Sequence, residues 1–534
     1  MFTTRDCGRP NRFHLIFMTL VVALATQAPS AVAMQEDAER PDAPKSRPRV
    51  VVVKPVILCN DDGTSPAPHA LPKKLVDRVY TTAGLEFVYL EPVHWNHGKA
   101  RRGEINLNQI VRQGTANGKI NRDARVVTLL FVSAVDGKRG PLGRGMQNGN
   151  ICFVTLGPQG VDSDPDMQAF VVAHEVGHCL NLRHAVDDPA VPNDVPNLQG
   201  DGPYDARLAV EGLHDSQRAT VLRSPLVNDR IIFHSLVEGR ELIVDESWEP
   251  YISGLTEDML RFSVGLKASD PIPQQPETRK QFAIEKHAQM VLEFTATEQA
   301  LIRKLVTKLR GLTGQQWPCV SRLPWHFIKS DSAFCSGMAH TRGMSILLSQ
   351  RYLDRMAREE SYGLKLLLHE KLHVIQRLNV GRFESLYNDY GLQRIKLADG
   401  ELQRINACQN PDALNADWAI KLGDSLSMLV TILRQGDGGK LQFQTQYRNL
   451  NEQADGTYTL GSAIAGTDAL EKWKASFPFQ AGHDHPNEIS AYLSASLLQS
   501  DYLGEGVGDQ DSEPIRIKQT RNAFRQIMRI PDAP

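Results

Sequence analysis

Two stretches of this chain of 534 residues place histidines four apart with a glutamate after the first of them: HEVGHCLNLRH at 174–184 and HEKLH at 369–373. Positions i and i+4 share one face of an α-helix, so each pair of imidazoles can address one metal ion, and each glutamate can reach a water at that ion. The first stretch carries its own start and stop signals. In DPDMQAFVVAHEVGHCLNLRH, Asp164 can cap a helix, Pro165 suits its first position and Asp166 its positive end, which predicts a helix to about Leu180. Asn181 tolerates the left-handed backbone, letting the chain reverse and deliver His184 as a third ligand. Three neutral histidines, His174, His178 and His184, leave one coordination position for water, which is the open arrangement of a catalytic zinc.

The second stretch lies in GLKLLLHEKLHVIQRL and offers His369 and His373 with Glu370 beside them, but no histidine ten residues on. Its third ligand is then a glutamate. Glu488 in HPNEISAYLSASLL, two residues after the helix-starting Pro486, is one choice and Glu384 another. His483, His485 and Tyr492 lie near Glu488 in sequence, where they can polarise a substrate, cap the helix or face solvent.

HEVGHCLNLRH resembles the long motif HExxHxxGxxH of the metzincin zinc peptidases at its three histidines and glutamate. It departs at the glycine, where Asn181 stands, and at the methionine-containing turn, whose counterpart PNLQGDG puts Gln199 where methionine would sit. HEKLH with the segment Glu488-Ile489-Ser490-Ala491 is similar to the gluzincins, in which HExxH on one helix is joined by a glutamate on another. The first resemblance covers roughly residues 50 to 235 and implies an α/β zincin-like fold in which the strand NICFVTLG lies along the cleft and pairs with an extended peptide. Together the two resemblances imply one zinc per domain and hydrolysis of peptide bonds, with Glu175 and Glu370 taking the proton of a zinc-bound water.

The amino terminus reads as an export signal. Arg5, Arg9 and Arg12 precede the apolar run LIFMTLVVALA, and Ala31-Val32-Ala33 supplies a cleavage pattern, so residues 1–33 are a signal peptide and the mature chain starts near Met34. That run is shorter than the roughly 20 residues of a membrane span, and no anchor is expected after its removal. The expected location is periplasmic or extracellular. Lys and Arg number 60 against 62 Asp and Glu, a net charge of -2 that gives no bulk attraction to nucleic acid or an anionic membrane. Six cysteines remain after Cys7 is removed, and Cys319 with Cys335 are the pair whose spacing suits a disulfide.

Residues 34–49 read as a charged, proline-bearing tether, and the polar run 265–283 with Pro271, Pro273 and Pro276 as a boundary. Between them VVVKPVIL, EFVYLEPV, VVTLLFVS and NICFVTLG read as strands and LPKKLVDRVYTTAG as a helix. After it, helices are expected over 284–312, 362–378 and 487–503, with the short strand SILLS between them. The expectation is a metzincin-like α/β domain over 50–264 and a mostly helical gluzincin-like domain over 284–534. Asp187, Asp188, Asp194 and Asp201 can ligate calcium, although a solvated loop fits their composition better. Substrates are expected to be proteins or peptides. The alternatives are an exported zinc-containing binding or scaffolding protein with one or both peptidase folds inactive, and zinc hydrolysis of a non-peptide amide.

Overall fold

The computed structural model describes residues 49–529 apart from 121–122, 124, 136–141, 157–163, 192–196, 201–212, 315, 409, 413–416, 423–424, 436–440, 465–466, 480–481, 484 and 504–514. The expected signal peptide and nearly all of the expected tether therefore lie outside the described residues.

Among the described residues, three sheets and many helices make a mixed α/β architecture. The first sheet contains β1 (Arg49–Cys59), β2 (Leu85–Tyr89), β3 (Val93–Asn96), β4 (Val126–Phe131), β5 (Gly143–Gly145), β6 (Ile151–Val154) and β7 (Val227–Asn228). Its order is β2-β1-β4-β6-β5, with β3 and β7 also paired to β1. β1, β2, β3, β4 and β6 are parallel, whereas β5 returns antiparallel along the outer side of β6. NICFVTLG is thus an inner strand, and β5, too short and glycine-rich to read as a strand, takes the edge expected for it.

The run of valines in β1 is apolar without a break because both faces of the strand are covered. Side chains alternate across a strand, so Val51 and Val53 enter a core shared with Phe170, Val172 and Val176 of the helix Pro165–Cys179. Val50 and Val52 enter the opposite core, shared with Leu364, Leu367, Leu368 and Leu372 of the helix Glu360–Leu378.

The second sheet has the order β11-β12-β10-β8 with β9 on β10, built from β8 (Ile231–Phe233), β9 (Val291–Leu292), β10 (Trp325–Ser330), β11 (His340–Arg342) and β12 (Ser345–Ser349). The third is an antiparallel meander of β13 (Leu392–Arg394), β14 (Trp418–Leu422), β15 (Ser425–Gln435), β16 (Leu441–Glu452) and β17 (Tyr458–Ile464). The later half of the chain thus adds strands of two sheets to the helices expected there.

The run 265–283 does not separate the sheets either, because β8 precedes it and pairs with β10, Ile231 opposite Trp325. Its prolines shape a surface turn, and Pro276 opens the helix Pro276–Gln289. The single helix expected over 284–312 is two. The chain breaks at β9, which pairs with β10, and restarts at Thr295, whose capping box with Glu298 opens the helix Ala296–Thr313. Helices Glu360–Leu378 and Pro486–Asp501 lie where the apolar spacing places them.

Ion pairs tie the first sheet to the residues that lead into β8 and β10: Glu86 on β2 meets both Arg230 and Arg322, and Arg322 also donates to the Phe87 carbonyl at 3.2 Å. Leu364, 1% exposed, belongs to the core that joins the first sheet to the later helices. Leu364→Ala is expected to cost about 2–5 kcal/mol by removing buried methyl groups, and to lower one joint unfolding transition in a thermal scan rather than the later of two.

Candidate metal centres

Asp164 caps the first histidine helix through the Asp166 amide at 3.0 Å, and Pro165 occupies its first turn, as the sequence predicts. The helix ends at Cys179, and Asn181 adopts φ +74°, with Leu182 N–H returning to the Gly177 carbonyl at 2.9 Å. This reversal carries His184 back toward the helix. His184 Nε2 lies 3.3 Å from His174 Nε2 and 3.1 Å from His178 Nε2.

Two backbone carbonyls set the ring orientations. His174 Nδ1 donates to Leu198 at 2.8 Å and His178 Nδ1 to Leu182 at 2.8 Å, leaving both Nε2 lone pairs aimed at the same point. Burial lowers the pKa of His174 to about 4 and lowers that of His178, so both rings are neutral and able to ligate. These three residues fit a metal that prefers imidazole donors.

The turn beneath them is Asn197–Gly200, in which Gln199 is wholly buried. Its Nε2 donates to the carbonyl of His174 at 2.8 Å, and the Ala185 N–H donates to its carbonyl at 2.8 Å, so it ties the helix to the segment bearing His184. Among the described residues Gln199 Oε1 has no hydrogen-bond partner. A β-carbon at residue 177 would overlap Gln199 Nε2, which explains the glycine there.

β5 runs along the same helix. A β-carbon at Gly143 would stand 2.6 Å from Glu175 Oε1, and one at Gly145 would stand 2.6 Å from His178 Cβ and overlap the Glu175 carbonyl oxygen. Glu175 is 7% exposed; burial raises its pKa to about 8, opposed by a hydrogen bond from the Gly145 backbone. A cavity of about 350 Å³ opens here, lined by Gly143, Arg144, Gly145, Phe170, Val171, Glu175 and the three histidines among others. Sequence reasoning missed β5; two glycines one residue apart are its only trace.

The second group takes its ligands from two helices. His369 Nε2 and His373 Nε2 lie 3.1 Å apart, and Glu488, from Pro486–Asp501, places Oε2 at 3.3 Å from the first and Oε1 at 3.5 Å from the second. In each of the two groups the donor atoms lie within 4.8 Å of one another. Burial alone would raise Glu488, but the two facing imidazoles hold it well below the usual carboxylate range. Glu384, the other ligand considered, instead pairs with Arg394.

Glu370 is 3% exposed and its Oε2 has no partner among the described residues; burial, then the charges of Asp412 and Glu488, push its pKa up. Tyr492 turns its ring to His369, centroids 5.0 Å apart. His485 caps its helix at the Asn487 amide, and His483 packs among Trp473, Phe477 and Phe479, where burial lowers its pKa to about 4. Tyr492 thus stands against a histidine of the pair.

No disulfide joins the six described cysteines. Cys319 and Cys335 do not form the expected disulfide: they sit in separate cores, Cys319 with Trp317 and Val320, Cys335 with Ile328 and Phe334. Of the acidic residues considered for calcium, Asp194 and Asp201 lie outside the described residues, and Asp188 accepts from the Ala190 amide at 3.0 Å. Among the described residues the two histidine groups are the clusters able to hold a metal.

No protein-family profile matches the chain, and no curated protein matches it. Among solved structures it is similar to archaemetzincin from Methanopyrus kandleri, with 15% identity over 34% of this chain and 98% of that one and a TM-score of 0.22, a likeness too slight to carry an argument.

Gly145→Ala is expected to push β5 off the helix and weaken zinc at the first group by at least about tenfold, the scale set by losing a supporting contact to a ligand. Chelator competition would read this, with Gly311→Ala, which meets nothing within 4 Å, as the neutral control.

Proposed function

We propose that the chain is an exported zinc-dependent metallopeptidase whose working centre is His174, His178 and His184 with Glu175. The observation that carries this reading is the convergence of three imidazole Nε2 atoms beside a buried glutamate, at the mouth of a cavity bordered by an edge strand. Zinc held there supplies a Lewis acid that polarises a carbonyl and lowers the pKa of water to about 7.

The chain supplies the remaining chemistry. β5 pairs with β6 on one side and ends the sheet on the other, so an extended peptide can add to it by backbone hydrogen bonds. Its glycines bring that peptide against Glu175. The carboxylate of Glu175 takes a proton from the attacking water and returns it to the leaving amide nitrogen. The Leu198 and Leu182 carbonyls fix the tautomers of His174 and His178 throughout.

His369, His373 and Glu488 form a second zinc site, with Glu370 in the position of a base. One observation favours a non-hydrolytic part for it: His373 and Glu488 are buried, whereas all three histidines of the first group are partly exposed. Its three protein ligands leave the same open coordination position as in the first group, so it is the restricted access of a peptide to buried ligands, not a closed coordination sphere, that favours this part. In that reading the later half of the chain binds or supports rather than cleaves.

Digestion of an unbiased peptide mixture by the zinc-loaded protein separates these readings. Glu175→Ala is expected to abolish cleavage, a loss of about 10²–10⁴-fold for removing a general base, with zinc retained. Loss of a distinct product set with Glu370→Ala would make the second centre a peptidase as well. A protein that holds zinc and cuts no peptide would contradict the proposal and favour the binding or non-peptide readings.

A further inference from the structure

We infer that Asn410 is a positioning residue for the second metal centre, fixing one oxygen of Glu488 so that the carboxylate meets the ion in a single orientation. This rests on the reading of His369, His373 and Glu488 as a zinc site. Asn410 Nδ2 donates to Glu488 Oε1 at 2.8 Å. The orientation of its amide is determined, because Oδ1 accepts from the Asp412 N–H at 2.9 Å and only the Nδ2 side remains for the carboxylate.

The segment 410–412 is itself clamped. Asp412 Oδ1 accepts from the Thr341 N–H and Oγ1, both at 2.6 Å, and the Pro411 carbonyl accepts from Arg342 at 3.2 Å. Arg377, on the helix of the two histidines, donates to Thr341 Oγ1 at 2.9 Å. Asn410 is therefore held by β11 and by the histidine helix while it holds a ligand from a third element. A ligand braced this way loses less freedom on binding the ion, and such outer partners are commonly worth 10–100-fold in metal affinity.

The chemistry also calls for asparagine. Glu488, Glu370 and Asp412 already bring three carboxyl groups together, and both of the others act electrostatically on Glu370. An amide satisfies the buried oxygen of Glu488 without adding a fourth negative charge. His373 has a parallel brace: its Nδ1 meets Gln376 Oε1 at 3.2 Å, and Gln376 Nε2 reaches the Asn487 carbonyl at 3.1 Å, one residue before Glu488.

The test uses the full chain carrying His174→Ala and His178→Ala, so that zinc reports the second centre alone. Asn410→Ser keeps a short acceptor for the Asp412 amide but cannot reach Glu488; Asn410→Asp keeps that acceptor and faces Glu488 with a like charge. Competition with a zinc chelator is expected to show a loss of about 10–100-fold for Ser and a larger one for Asp. The absorption bands of the cobalt-substituted centre are expected to shift, while the metal-free variants unfold at nearly the parent temperature. Wild-type affinity in both, or an equal loss in both matched by equal destabilisation of the metal-free chain, would overturn the inference. If Glu488→Ala leaves zinc binding unchanged, it is the metal-site reading beneath it that fails.

Discussion

Burial of Val50–Val53 on both faces of one strand ties the two histidine helices to it. The alternation of its valines sends Val51 and Val53 toward the core of the first helix and Val50 and Val52 toward the core of the second. A parallel strand covered on both sides cannot slip register by one residue without exchanging the two sets of side chains, so this pairing specifies both helices at once.

The two groups reach similar donor geometry by different routes. In the first, every ligand comes from one helix and the reversal after it, and the surroundings refine what local structure begins: two carbonyls set the rings, Gln199 ties the turn to the helix, and β5 delivers Gly143 and Gly145 against Glu175. In the second, two helices far apart in sequence must be packed before His369, His373 and Glu488 meet, and the ligands are braced by side-chain amides. The first centre is partly exposed beside a cavity, whereas His373, Glu370 and Glu488 of the second are sealed.

What could be read from the sequence follows from how local each cause is. Asp164, Pro165 and Asn181 act within one helix, and they perform the roles their chemistry predicts. The sequence spacing that places His184 works for the same reason. Non-local causes left weaker marks. β5 has three residues, and its position depends on glycines whose value lies in Glu175 and His178, far along the chain. The break before Thr295 was masked by continuous apolar spacing, although Thr295 and Glu298 have the spacing of a capping box. The third sheet escaped notice because its strands are rich in polar residues, yet the alternation in LQFQTQYRNLNE is that of a strand with one solvated face. Asn410 has no sequence signature; only the folded chain brings it to Glu488.

X-ray absorption at the zinc edge of the full-length protein tests the account most directly, since it reports the donor atoms of both centres together. The account predicts two zinc ions per chain, with protein donors that are all nitrogen or oxygen, five imidazoles and one carboxylate in total. One zinc per chain, or sulfur among the donors, would contradict it.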